Sequence, residues 1–336
     1  MRLPRPRGPR SAALLDALAR PVEGRADRFG TVASGGWRVD DPLRDDDLQV
    51  FLYVCYELHL RGWDGVDERW EWHPGLLAAR AEAEAVFEDA VRALVGPLPT
   101  VAPGDLPRAL ADLVAADDGP ELAKYLDRRA SAEEFAEFVA CRSVYHLREA
   151  DPHTFGIPRL AGRAKAALVE IQIDEYGSGQ PERMHAELFR TTMRELRLDT
   201  RDGAYLDWVP AVTLASNNLM SLFGLHRRLR GALLGHLAAF EMTSSLPNRR
   251  YGNGLRRLGY GPVATTFFDE HVEADAVHEQ IAAHDLCGAF AADEPDRVGE
   301  VLFGAAACLA VDRLVAGHLL NAWARRRQPA PAPVPV

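Results

Sequence analysis

FFDEHVEADAVHEQIAAHDL, residues 267–286, places His271, Asp275 and His278 at positions i, i+4 and i+7. On a helix of 3.6 residues per turn the three side chains span about 60° of arc. That arc adjoins Phe267, Ala274, Val277 and Ile281, while Glu273 and Gln280 fall on the other side. The spacing therefore predicts a helix that turns two imidazoles and a carboxylate toward the interior. A solvated charged face is the plain alternative. Buried without partners, such groups carry a heavy desolvation cost, which a bound metal ion removes.

Upstream, EIQIDEYGSGQPERMHAELF (170–189) carries Glu182 and His185 as a Glu-x-x-His pair, the spacing used by carboxylate-bridged two-metal bundles. Glu175 precedes His185 by ten residues, across a stretch holding Gly177, Gly179 and Pro181. Those residues break a helix, and the break either aims both side chains at one centre or forms an ordinary turn. In LLGHLAAFEMTSS (233–245), Glu241 stands among Leu237, Ala238, Ala239, Phe240 and Met242. A lone carboxylate in an apolar helix is paired, protonated or metal-bound. Mixed imidazole and carboxylate donors suit iron or manganese, and their number suits two ions better than one.

The rest of the chain sets the frame. Its 336 residues are 47% hydrophobic, enough for one large or two modest domains. The net charge of −10 is spread over short clusters without a dominant basic patch, which argues against nucleic acid and for a small-molecule substrate. Cys55, Cys141, Cys287 and Cys308 are far apart and form no CxxC pair, as expected of a reduced, cytoplasmic chain. MRLPRPRGPR is basic, but the following SAALLDALAR is interrupted by Asp16 and is too short for an export signal or a membrane span.

Strand-like alternation is nearly absent, and apolar residues recur at helical spacing between Pro, Gly and Asp breaks. The expected fold class is all-α. Helices are predicted near 47–61, 75–95, 105–117, 131–149, 158–176, 181–197, 205–223, 225–244, 264–286 and 294–325. The expected organisation is a mostly irregular arm (1–42), an N-terminal helical section (43–128), a metal-binding domain (129–325) and an extended Pro/Ala tail (326–336). In the N-terminal section, Glu57 and His59 lie on nearly opposite helix faces, which argues against joint ligation. The chain has no GxSxG elbow, no GxxxxGK[ST] loop and no strand followed by GxGxxG.

Glu175 with His185, then Glu241, then His271, Asp275 and His278 as HxxxDxxH, together resemble the haem-oxygenase-like di-iron oxidases and oxygenases, also described as iron-containing redox enzymes. The resemblance covers roughly residues 130–290. It implies a haem-oxygenase-like helical bundle with additional N-terminal helices, in which two Fe(II)/Fe(III) ions replace haem and O2 is co-substrate. One iron would take His185, Glu241 and His271, and the other His278, Asp275 and Glu175. Glu149, in YHLREADPH, stands where some members bring a further carboxylate, though a capping or surface residue would occupy the same helix end. Glu182 is a further candidate ligand.

The implied activity is oxidation of a small molecule, either N-oxygenation of an amine or guanidine or oxidative cleavage of an amino acid or fatty acid. An external electron donor and a homodimer are expected, and nucleic acid and membrane are not. Phe189, Met220, Phe223 and Met242 are candidate pocket residues or plain core, and Arg227, Arg228 and Arg230 either meet a substrate carboxylate or form a solvated basic turn. Two rival readings stand beside this one. The His284-Asp285 dipeptide suggests a metal-dependent helical hydrolase of HD type, and the scaffold also admits a haem-binding or non-catalytic member.

Overall fold

The computed structural model describes residues 1–22 and 36–327, except for the side chains of Glu273, Asp275 and Ala276. All regular secondary structure among the described residues is helical, with no strand. The tail beyond residue 327 and the arm segment 23–35 lie outside them. The principal helices are α1 (Pro9–Leu18), α2 (Asp46–Glu57), α3 (Pro74–Val95), α4 (Leu106–Ala115), α5 (Leu122–Arg128), α6 (Ala132–His146) and α7 (Gly162–Glu175). They continue as α8 (His185–Glu195), α9 (Ala211–Leu225), α10 (Arg230–Met242), α11 (Ser245–Arg257), α12 (Pro262–Gln280) and α13 (Val298–Arg327).

Local chemistry sets the helix ends that matter for the site. α6 opens on a reciprocal cap, in which Ser131 Oγ accepts from Glu134 N–H and Glu134 Oε2 accepts from Ser131 N–H. It ends in a buried turn whose Ala150 takes the left-handed conformation, φ 70°. α7 stops at Glu175 because Gly177, Ser178 and Gly179 all have positive φ. A Cβ on Gly177 would sit 2.6 Å from the Arg183 carbonyl carbon, so only glycine lets the chain fold back here. After two short 3₁₀ turns, Gly177–Gly179 and Pro181–Arg183, α8 begins at His185. Past Gln280, α12 loosens into a π-helical segment, Ile281–Gly288, a geometry frequent at functional sites.

α10 and α13 cross almost backbone to backbone. A Cβ on Gly235 would fall 1.8 Å from the Val301 carbonyl oxygen, and one on Gly304 would fall 1.9 Å from that of Ala232. The sequence reading missed α11 because SLPNRRYGNGLRR is dense in helix breakers. Its Gly254 packs against the C-terminal end of α5, where a Cβ would meet Leu126 O at 2.6 Å. Tertiary contact thus overrides local propensity.

Two apolar cores hold the bundle. The larger joins α2 and α3 to the helices bearing His185 and His271, through Phe51, Phe87, Phe135, Phe189, Phe267 and their neighbours. The smaller packs α4, α7, α10, the π segment and α13 through Leu168, Leu234, Leu286 and Val301. Among the described residues no helix is long and apolar enough to cross a membrane.

Candidate metal centre

Three buried carboxylates gather at the C-terminal ends of three helices. Glu149 follows α6, Glu175 is the last residue of α7 and Glu241 is the next to last of α10. Helix C-termini carry partial negative charge, so each position disfavours a carboxylate and favours a cation beside it. His185 opens α8, and His271 and His278 descend from α12 into the same space. Among the described residues, these six form two groups able to hold a metal ion, Glu149 with His185 and His271, and Glu175 with Glu241 and His278.

In the first cluster, His271 Nδ1–H donates to Phe267 O at 2.7 Å, which turns Nε2 toward Glu149 Oε1 at 3.7 Å. The His185 and His271 rings lie 4.4 Å apart between centroids. His146 Nδ1 stands 2.8 Å from Glu149 Oε1 and orients that carboxylate from behind. In the second cluster, His278 Nδ1 lies 3.4 Å from Glu241 Oε2, while its Nε2 meets Asp174 Oδ2 at 3.0 Å. A ligand histidine backed by a carboxylate is the usual support of a metal site. Glu175 Oε2, 3.1 Å from His185 Nδ1, joins the two clusters.

The donor set fits divalent metal ions. Glu149 Oε2 is buried and accepts no hydrogen bond from any described residue, and Glu175 Oε2 and His185 Nδ1 face each other without hydrogen-bond alignment. Buried polar atoms left this way are costly unless something binds them. The metal-free electrostatics agree. Burial pushes the Glu149 carboxyl up, but His146 and His271 outweigh it and hold it well below the usual carboxylate range. Burial lowers His278, yet Glu241 and then Asp174 raise it to about 9. His185 is likewise lowered by burial and raised overall by Glu175. A proton thus stands on His278 at neutral pH, where a metal would replace it.

Both clusters open on a cavity of about 340 Å³. Tyr145, His153, Gln172 and Phe240 line it near the carboxylates, and Arg142, Tyr251, Phe268 and Asp312 line it farther along. Arg142 is tied to Asp312 at 2.6 Å.

The grouping differs from the one the resemblance implied. Glu241 stands with His278 and Glu175, not with His185 and His271, and Glu149 takes its place in the first cluster. Glu182 is exposed and lies within the 3₁₀ turn that precedes the helix His185 begins, so the two do not share α-helical i, i+3 geometry. Asp275 lies on α12, but its side chain is outside the described residues. Val277, assigned to the inward arc by periodicity, is 60% exposed.

Phe189, Met220 and Phe223 are core, Met242 packs against the smaller core, and none of the four lines the cavity. Arg228 pairs with Glu88 and Arg230 with Glu294, while Arg227 is exposed. His284 is exposed and Asp285 pairs with Arg163, so the HD dipeptide belongs to neither cluster. The reading missed His146 and Asp174. His146 lies i, i+3 from Glu149, a detectable signal; nothing in the sequence separates Asp174 from its neighbour Glu175.

Fold and site together define an all-helical protein with two buried histidine and carboxylate groups, at converging helix ends, that could each hold a metal ion. The family model described as "Iron-containing redox enzyme" matches residues 136–313, and the chain belongs to that haem-oxygenase-like family. The chain is also 30% identical over 138 residues to a nitrosourea synthase from Streptomyces achromogenes subsp. streptozoticus. The aligned stretch covers 40% of this chain and 29% of that protein.

Proposed function

We propose that the two clusters hold two iron ions and that the chain uses O2 to oxidise a small molecule in the adjoining cavity. The observation that carries this reading is the pair of buried three-residue donor groups, joined through Glu175 and His185 and facing one cavity. Three imidazoles and three carboxylates suit two borderline divalent ions better than a single porphyrin. When bound, the iron pair supplies the electrons and open coordination positions that activate O2.

The chain's own residues fix geometry and exclude water. Phe267 O, His146 and Asp174 set the orientation of His271, Glu149 and His278. Tyr145 and Phe240 are tilted against each other, with ring centroids 5.5 Å apart, and both line the cavity that the carboxylates also line. Aromatic faces beside carboxylates favour a cationic group, which supports an amine or guanidine as the oxidised function. The name of the nitrosourea synthase relative points the same way. Oxidative cleavage of an amino acid or fatty acid is the second reading within the family chemistry. Further electrons come from an external donor or from the substrate, and a cytoplasmic homodimer completes the proposal.

The test is anaerobic Fe(II) loading followed by O2. Two irons per chain and a transient visible absorption band are expected, with oxygen incorporated into an amine or guanidine substrate by mass spectrometry. Purified chain that holds only zinc and ignores O2 would sink the reading.

A further inference from the structure

The N-terminal helices carry none of the cluster residues, yet the end of α2 reaches the turn that carries Glu149. Arg148, the residue before Glu149, is buried and donates from Nη1 to Glu57 Oε2 at 2.7 Å. Its guanidinium lies 4.9 Å from the Tyr53 ring centroid, and its Nη2 reaches Asn217 Oδ1 at 3.4 Å. One turn beyond Glu57, Arg61 Nη2 donates to Leu147 O at 3.0 Å and lies 3.6 Å from Asp151 Oδ2. Arg61 N–H in turn donates to Glu57 Oε1 at 3.4 Å. The chain on both sides of Glu149 is therefore gripped from α2.

That grip coincides with a strained backbone. Ala150, immediately after Glu149, is a non-glycine residue at φ 70° and ψ −27°, a conformation that persists only where its surroundings hold it. Leu147, Arg148, Glu149 and Ala150 are all buried. In this turn Arg148 faces α2 while Glu149 faces His146 and His271. The Glu57–Arg148 pair thus lies on the opposite side of the backbone from the first cluster. A buried ion pair adds little net stability beside an apolar pair, and its best-attested use is to fix one arrangement.

We infer that Glu57, acting through Arg148, is a positioning residue for the first cluster, setting Glu149 for the metal ion it would share with His185 and His271. The inference rests on the metal-binding reading and extends it to a helix outside the cluster-bearing bundle. It is selective, because the residue Glu57 holds, Arg148, adjoins Glu149 of the first cluster.

The test measures anaerobic Fe(II) binding by equilibrium dialysis, one cluster at a time, on the full chain. In a His278→Ala background only the first cluster is intact, and in a His271→Ala background only the second. Adding Glu57→Gln is expected to weaken iron binding about 10–100-fold in the first background, the usual effect of losing an outer partner, and to leave the second within about twofold. Glu57→Asp should fall between Glu57→Gln and the parent. Glu88→Gln is the control, because Glu88 is a buried carboxylate of the N-terminal section that pairs with the half-exposed Arg92 and Arg228 and lies outside both clusters. It should lower the melting temperature without moving either dissociation constant. If Glu57→Gln fails to fold by circular dichroism, Arg148→Lys is read in the same way. Equal weakening of both clusters, or no change at either, overturns the inference while leaving the metal reading standing. Parent backgrounds that bind no iron at all overturn both.

Discussion

The two clusters use the same residue types but are backed differently. The first, Glu149 with His185 and His271, is supported by mostly buried groups: His146, the Phe267 carbonyl, the Phe189 and Phe267 rings, and behind them the Glu57–Arg148 pair. The second, Glu175 with Glu241 and His278, is backed by Asp174, whose side chain is 52% exposed. It also sits where α12 gives way to the π-helical segment, beside exposed Val277. A ligand held by packed, desolvated neighbours keeps its geometry without the metal, whereas one backed from the surface has room to adjust. On the two-metal reading, the first cluster is accordingly expected to be the more rigid half and the second the more adaptable one.

Removing one imidazole from each half should break the comparison most visibly. His271→Ala and His278→Ala should each lower the iron content from two ions per chain to about one, weakening the ion lost by more than the ~100-fold of an outer partner. Elemental analysis after anaerobic loading reads this directly. Normal iron in both variants would show that α12 has been misassigned.

The crossing of α10 and α13 offers the next test, because α10 carries Glu241 and no residue of the first cluster. Gly304→Ala drives a Cβ into the Ala232 carbonyl and should cost about 1–3 kcal/mol or more, measured by denaturant unfolding. Its effect on iron binding should be confined to the second cluster. Asp174→Asn is milder, about tenfold in affinity at the second cluster alone, read by iron titration of the His271→Ala chain.

The smallest effect concerns the metal-free chain. Glu241 and Asp174 raise His278 from 6.5 to about 9, so the folded state binds its proton more tightly than the unfolded one does. The resulting stability is fully present below about pH 6.5 and is lost as the pH rises through about 9. Unfolding of the metal-free chain across that window should show the loss, and His278→Gln should reduce it. A flat profile in the parent chain would mean that His278 is not paired as described.

Much of this architecture is legible in the residue order. Helical periodicity gives the helix class because each amphipathic segment must bury one face, and the breaker stretch 177–181 marks where α7 must end. α11 was not legible, since its glycines read locally as breakers and serve tertiary close approach instead. Glu182 illustrates the opposite case. Its spacing from His185 suits a helix, but Pro181 starts a separate turn and leaves the carboxylate in solvent.

The sequence by itself singled out candidate metal ligands: Glu175, Glu182, His185, Glu241, His271, Asp275 and His278 by type and spacing, and Glu149 through a family resemblance. Which of them face one another was decided only by the tertiary structure. Glu149, Glu175 and Glu241 come from the ends of three different helices, and their pairing depends on helix crossings and one strained turn. The same is true of Glu57, which reads as an isolated surface-type charge on α2 until folding lays that helix against Arg148. Spacing along one helix fixes direction to within a fraction of a turn, but no spacing rule relates side chains on separate helices.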